Sequence, residues 1–261
     1  MSTPTASIAA AGIPAAGTPP VRIHQFSVIQ ALMAGLYDGA FPSSEVLAVG
    51  DFGLGCGNAL NGELVIVDGQ IFRCTDDGAV SAGDPDELLP FAEVVAFAPT
   101  LQHELAGSVD RTGLEALISG LVGNPNQFYA IRLDGEFEDM LVREPVRQHH
   151  PYRPLSEVMA GQREMTLPST TGTLVGFWAP HIFQGVSVAG YHLHYLNDSR
   201  THGGHTLSYT VTSGTLYLQP VTGIEVHLPG TPEFAAADLG ASTADADIRR
   251  VESASAAAAS A

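Results

Sequence analysis

Two hydrophobic periods divide this chain. Residues 27–37 place Val28, Leu32 and Leu36 one turn apart with Ile29 and Met33 beside them, which predicts a helix ending in the stretch 35–39. Residues 45–49 add a helical turn. Residues 114–121 read as a further helix, with Asp110 and Thr112 as caps. Elsewhere the period is two. Residues 63–67, 70–73, 91–97 and 129–133 read as strands, and Asp68-Gly69 joins the first two as a hairpin. The second half is richer in strands: 173–178, 186–196, 206–211, 214–218 and 223–227, with Ser213-Gly214 and Thr222-Gly223 as turns. Residues 51–62 read as a Gly-rich loop, and 234–239 or the stretch near Ile248 as helical. From Met165 to Asn197 there is no charged Asp, Glu, Lys or Arg, but prolines and glycines interrupt the run. Short buried strands suit it better than a membrane-spanning helix.

The chain reads as an N-terminal part, 23–160, in which helices alternate with strands, and a strand-rich C-terminal part, 161–252. The boundary falls among the prolines and charges of 145–168. Residues 1–22, rich in Ala, Ser, Thr and Pro, read as a flexible arm, and 253–261 as a disordered Ala/Ser tail. The arm has no basic segment before an apolar run, so it fails as a secretory signal and the expected location is cytoplasmic.

Charge narrows the partners. The formal net charge is −17, and all eleven basic residues are Arg. That balance argues against a nucleic-acid-binding face and disfavours an anionic membrane surface. An anionic substrate then needs a local Arg or a metal. Cys56 and Cys74 are too few for a disulfide framework and lie in no C-x-x-C motif, although a single bridge stays open.

The chemistry concentrates in 190–205. His192 and His194 are two apart, so on a strand they share a face. Asn197-Asp198-Ser199-Arg200 is turn chemistry, Gly203-Gly204 permits a tight return, and His205 opens the partner strand. Such a hairpin brings three imidazoles to one point, the donor set of an open catalytic site for a divalent metal, usually zinc. His202 competes with His205 as third ligand, but it sits in the turn, where its direction is less well determined.

Several segments together resemble the α-acetolactate decarboxylase family. They are Asp51-Phe52-Gly53-Leu54-Gly55, Asn58-Ala59-Leu60-Asn61-Gly62-Glu63 with Asp68-Gly69, and His24-Gln25-Phe26-Ser27 leading to Leu36-Tyr37-Asp38-Gly39. Val142-Arg143 with Gln148 and Pro151-Tyr152 follows, then Gly190-Tyr191-His192-Leu193-His194 with Gly203-Gly204-His205. The resemblance runs from about His24 to Glu252. It implies an α/β fold of the α+β type with two sheet-containing domains, the N-terminal sheet mixed and the C-terminal strands mainly antiparallel and carrying the metal hairpin, in an often dimeric, zinc-dependent carboxy-lyase that converts 2-acetolactate to (R)-acetoin and CO₂ through a metal-stabilised enediolate. It places the Zn²⁺ ligands on His192, His194 and His205, and catalytic roles on Glu63, Arg143 and Glu252. The family usually has a small residue other than His at the position of His202, and commonly Thr at that of Cys56. The implied partners are a small 2-hydroxy-3-keto acid and a second copy of the chain, with no nucleic acid and no membrane. Two other classes compete: a non-catalytic metal- or sugar-binding β module, and a cupin-like metal dioxygenase, which usually adds a Glu shortly after the H-x-H pair.

Overall fold

In the computed structural model, residues 20–240 and 244–252 are described. Most of the expected arm and all of the expected tail lie outside them. Two sheets face each other. The first has seven strands in the order Gly223–His227, Arg22–Phe26, Phe91–Val95, Phe52–Cys56, Glu63–Val67, Gln70–Cys74 and Val80–Ala82. Only its outer pair, Gly223–His227 with Arg22–Phe26, is parallel, so the sheet is mixed. The second sheet has six strands. Its main path is Val109–Asp110, Gly203–Val221, Phe128–Glu144, Arg163–Ala179 and Gly190–Asn197, with Leu101–Leu105 on the side of Gly203–Val221. Gly190–Asn197 also pairs with the start of Gly203–Val221, which closes the sheet on itself at that end.

Alternation explains the faces. Cys56, Val65, Val67 and Cys74 point from the first sheet into the shared core, and Ala130, Val175, Phe177 and Leu196 point into it from the second. The opposite faces bury separate clusters, one including Val46 and the other Leu114 and Ile118 from the helix Arg111–Val122. Asp110 caps that helix, accepting from the Gly113 N–H at 2.7 Å. The Asp68-Gly69 turn has φ of 52° and 72°, the conformation a tight hairpin needs.

Four expectations are corrected. The predicted loop at 51–62 contains Phe52–Cys56, a central strand. A Cβ on Gly53 would lie 2.0 Å from Glu93 O, so this glycine marks close backbone approach rather than a turn. Ser213-Gly214 does not turn, because Gly203–Val221 runs through it. The helix predicted over 27–37 is shorter, Ile29–Met33, and Gly35 at φ 90° leaves the helical region. The sheets also do not divide at 145–168. Phe128–Glu144 belongs to the second sheet and Gly223–His227 to the first, because strand partners are chosen by long-range pairing that local periodicity does not record.

One buried carboxyl lies apart from the histidines. Glu93 is fully buried opposite Gln25, and Ser187 Oγ donates to it at 3.0 Å. Burial raises its pKa from 4.5 to about 7. The folded chain therefore holds this proton over a pH range where the unfolded chain has lost it, and stability falls as pH rises from about 4.5 to about 7. The cost approaches about 3 kcal/mol above that window. Glu93→Gln is expected to stabilise the protein at pH 8 and to leave it nearly unchanged at pH 5, measured by urea unfolding. An equal effect at both pH values would exclude this titration.

Candidate active site

Strand register assembles the site. His205 lies opposite Arg143 on one neighbouring strand and opposite His194 on the other. Directly opposed residues share a face, so Arg143, His205 and His194 form one row, and His192 joins them two residues before His194. The returning backbone must approach closely just before His205. A Cβ on Gly203 would lie 2.4 Å from Tyr195 O and 2.7 Å from Cys74 Sγ, and Gly204 has φ of 148°.

A second row faces this one from the other sheet. Glu63 pairs with Cys56 on one side and Cys74 on the other. The two cysteines are thus two strands apart, about 9–10 Å by strand spacing, which is too far to bridge. Both are free and buried. His194 Nδ1 donates to Leu64 O at 2.8 Å, which leaves the Nε2 lone pair directed at the site, 3.7 Å from Glu63 Oε2.

The third contribution comes from the helix Ala244–Glu252. Ile248 and Val251, at i and i+3, are buried in the shared core, and the helix packs on Ile29–Met33 and Leu155–Val158. Glu252 Oε2 then stands 3.6 Å from His192 Nε2, 3.7 Å from His205 Nδ1 and 3.6 Å from Arg143 Nη2. Arg143 Nη1 donates to Val251 O and, at 3.3 Å, to Gln162 Oε1. Glu63, Arg143, His192, His194, His205 and Glu252 all line one cavity. Its other wall is apolar and includes Ile29, Leu32, Phe91, Leu155, Met159 and Val251. The sequence carried no signal for this wall. The helical stripe of Ile29 and Leu32 was legible, but not what it faces.

Burial governs the charges. It lowers His192 to about 3 and His194 and His205 well below the usual histidine value, with the Arg143 guanidinium adding to each. All three imidazoles are therefore neutral at ordinary pH, the form that ligates a metal. Burial raises Glu63 to about 8 against the pull of Arg143, and raises Glu252 as well.

One ring nitrogen from each of His192, His194 and His205 lies within 4.8 Å of the others. His194 Nε2 and Glu252 Oε2 are buried without a hydrogen-bond partner, a cost that a cation between them removes. The donor set fits a divalent ion. His202 stays in the turn, its Nδ1 3.0 Å from Thr201 Oγ1, outside this cluster. Among the described residues His24, Glu225 and His227 also gather, at a sheet edge. There His24 Nδ1 and His227 Nε2 are 3.2 Å apart with ring centroids 5.5 Å apart, so the two nitrogens point at each other. That is hydrogen-bond geometry, not chelation.

Comparison with known proteins shows the family. Residues 23–241 match the Alpha-acetolactate decarboxylase family, a match that ends just before the helix carrying Glu252. The chain is 36% identical over 230 residues to the alpha-acetolactate decarboxylase of Klebsiella aerogenes, covering 88% of each. It is 38% identical over 218 residues to that of Methylococcus capsulatus, covering 84% of each. The crystal structure of alpha-acetolactate decarboxylase from Bacillus subtilis strain 168 superimposes with a TM-score of 0.88 at 33% identity, over 89% of this chain and 100% of that one. A match of this extent, over a fold and cavity of this kind, places the chain in the alpha-acetolactate decarboxylase family.

Proposed function

We propose that this chain is a zinc-dependent carboxy-lyase that converts 2-acetolactate to (R)-acetoin and CO₂. The observation that carries this reading is the convergence of three buried neutral imidazoles, His192, His194 and His205, on Glu63, Arg143 and Glu252 in one small cavity. The imidazoles would hold Zn²⁺, which when bound supplies a Lewis acid for the ketone and hydroxyl oxygens of the substrate.

The chain's own groups account for the remaining steps. Arg143 presents planar donors on a guanidinium, so it binds the substrate carboxylate inside an acidic protein. The bond from C2 to the carboxylate carbon breaks and CO₂ departs. The electron pair left behind moves into the C2–C3 bond and places negative charge on the former ketone oxygen, where the Arg143 field opposes it. Glu63, whose carboxyl faces His194 Nε2 at 3.7 Å, then passes a proton to one face of C2, which sets the chirality of the product. Glu252 holds the Arg143 guanidinium at the cavity wall, its Oε2 3.6 Å from Nη2. The apolar wall keeps water out and strengthens each of these interactions.

The test is acetoin formation from racemic acetolactate under nitrogen, before and after chelation. Chiral chromatography should show (R)-acetoin, chelation should abolish turnover, and Zn²⁺ should restore it. Turnover that survives complete metal removal would sink the metal reading. Turnover that needs oxygen would point to a dioxygenase.

A further inference from the structure

The cavity is divided by chemistry. The two sheets supply Glu63, Arg143 and the three imidazoles, the end of the last helix adds Glu252, and helical segments supply most of the apolar side: Ile29 and Leu32, Leu155, Met159 and Val251. A 2-hydroxy-3-keto acid is divided in the same way. Its carboxylate, hydroxyl and ketone occupy one edge, and its two alkyl groups the other. With the polar edge on the polar side, the alkyl groups meet the helices. The free space is about 30 Å³, room for about two waters on that measure. An added methylene lengthens the alkyl edge and presses it further onto this apolar wall.

Most of that wall is immovable. Ile29 is 1% exposed, Leu155 4% and Val251 5%, each packed in the shared core. A β-branched or γ-branched side chain buried in this way has few rotamers to exchange. Met159 differs on both counts. It is half-buried, on the one-turn helix Met159–Gly161 at the cavity rim, and it is unbranched with three rotatable bonds.

We propose that Met159 is the residue that sets the length of alkyl substituent this enzyme accepts. This rests on the substrate class given above. Its side chain stands against the alkyl edge and must swing toward solvent before a 2-ethyl homologue of acetolactate can seat. Discrimination between the 2-methyl and 2-ethyl substrates is then a property of this side chain. One methylene in an apolar pocket changes kcat/KM by about 10- to 200-fold.

The experiment measures kcat and KM for both substrates with the zinc-loaded wild type, Met159→Ala and Met159→Phe. Metal content and circular dichroism confirm that each variant is folded and loaded. Met159→Ala is expected to shift the ratio of kcat/KM by about 10-fold toward the 2-ethyl substrate, mainly through KM. Met159→Phe is expected to shift it by at least as much the other way. A ratio unchanged in both folded variants would overturn the assignment of Met159. A wild type that decarboxylates neither substrate would instead overturn the function proposed above, so the two failures are distinguishable.

Discussion

Changing any one of His192, His194 or His205 to Ala is expected to remove most bound metal and to lower acetoin formation by about 10³-fold or more. The reason is the register. His194 and His205 face each other on adjacent strands, and His192 stands on the same face two residues away. Removing one leaves two imidazoles, which do not hold zinc tightly in a buried site. The expected loss does not depend on unfolding, because Leu193 and Tyr195 anchor the strand of His192 and His194 in a separate cluster, and Tyr209 and Val211 anchor the strand of His205 there. His202→Ala is the control and should keep both metal and activity, since its ring lies in the turn. Metal analysis of the four purified variants decides the matter. Full zinc in His205→Ala with loss in His202→Ala would reverse the ligand assignment.

The second large effect concerns the last helix. Removal of residues 248–261 is expected to lower turnover by about 10²-fold or more while the three histidines still bind metal. Removal of residues 253–261 should be nearly silent. The difference lies in Ile248, Val251 and Glu252. The two apolar side chains dock the helix, and the Val251 carbonyl and Glu252 carboxylate meet Arg143. Without them the Arg143 guanidinium loses two partners and the cavity opens to water, which weakens its hold on substrate charge. Glu252→Gln separates the carboxylate from the helix: it keeps the docking and removes only the charge. Steady-state rates, metal content and circular dichroism should be read on all three proteins. A fully active protein lacking 248–261 would show that Glu252 takes no part in catalysis.

Sequence legibility followed the range of the interaction involved. The Asp68-Gly69 hairpin and the Asp110-capped helix are local, and both were legible. So was the alternation of His192 and His194 against Tyr191, Leu193 and Tyr195, because one face of that strand meets the site and the other a separate cluster. Glycine was the ambiguous letter. Gly69 marked a turn, but Gly53 and Gly214 lie where strands crowd each other, and a single sequence does not distinguish a glycine needed for φ from one needed for space.

Arg143 shows the limit most clearly. Strict alternation along Phe128–Glu144 puts Phe128 and Ala130 on the site face, which would turn Arg143 away from it. The register shifts between Glu136 and Val142, and Asp139 takes φ of 49°, so the phase changes and Arg143 arrives beside His205. By itself the sequence supplied three imidazoles at hairpin spacing, and the family resemblance singled out Arg143, Glu63 and Glu252 beside them. Their types and short-range spacing are properties of the covalent chain. The tertiary structure alone decided that these groups meet. That outcome depends on one irregular strand, a sheet that closes on itself, and a helix held by two apolar side chains, and each follows from long-range packing that local periodicity does not contain.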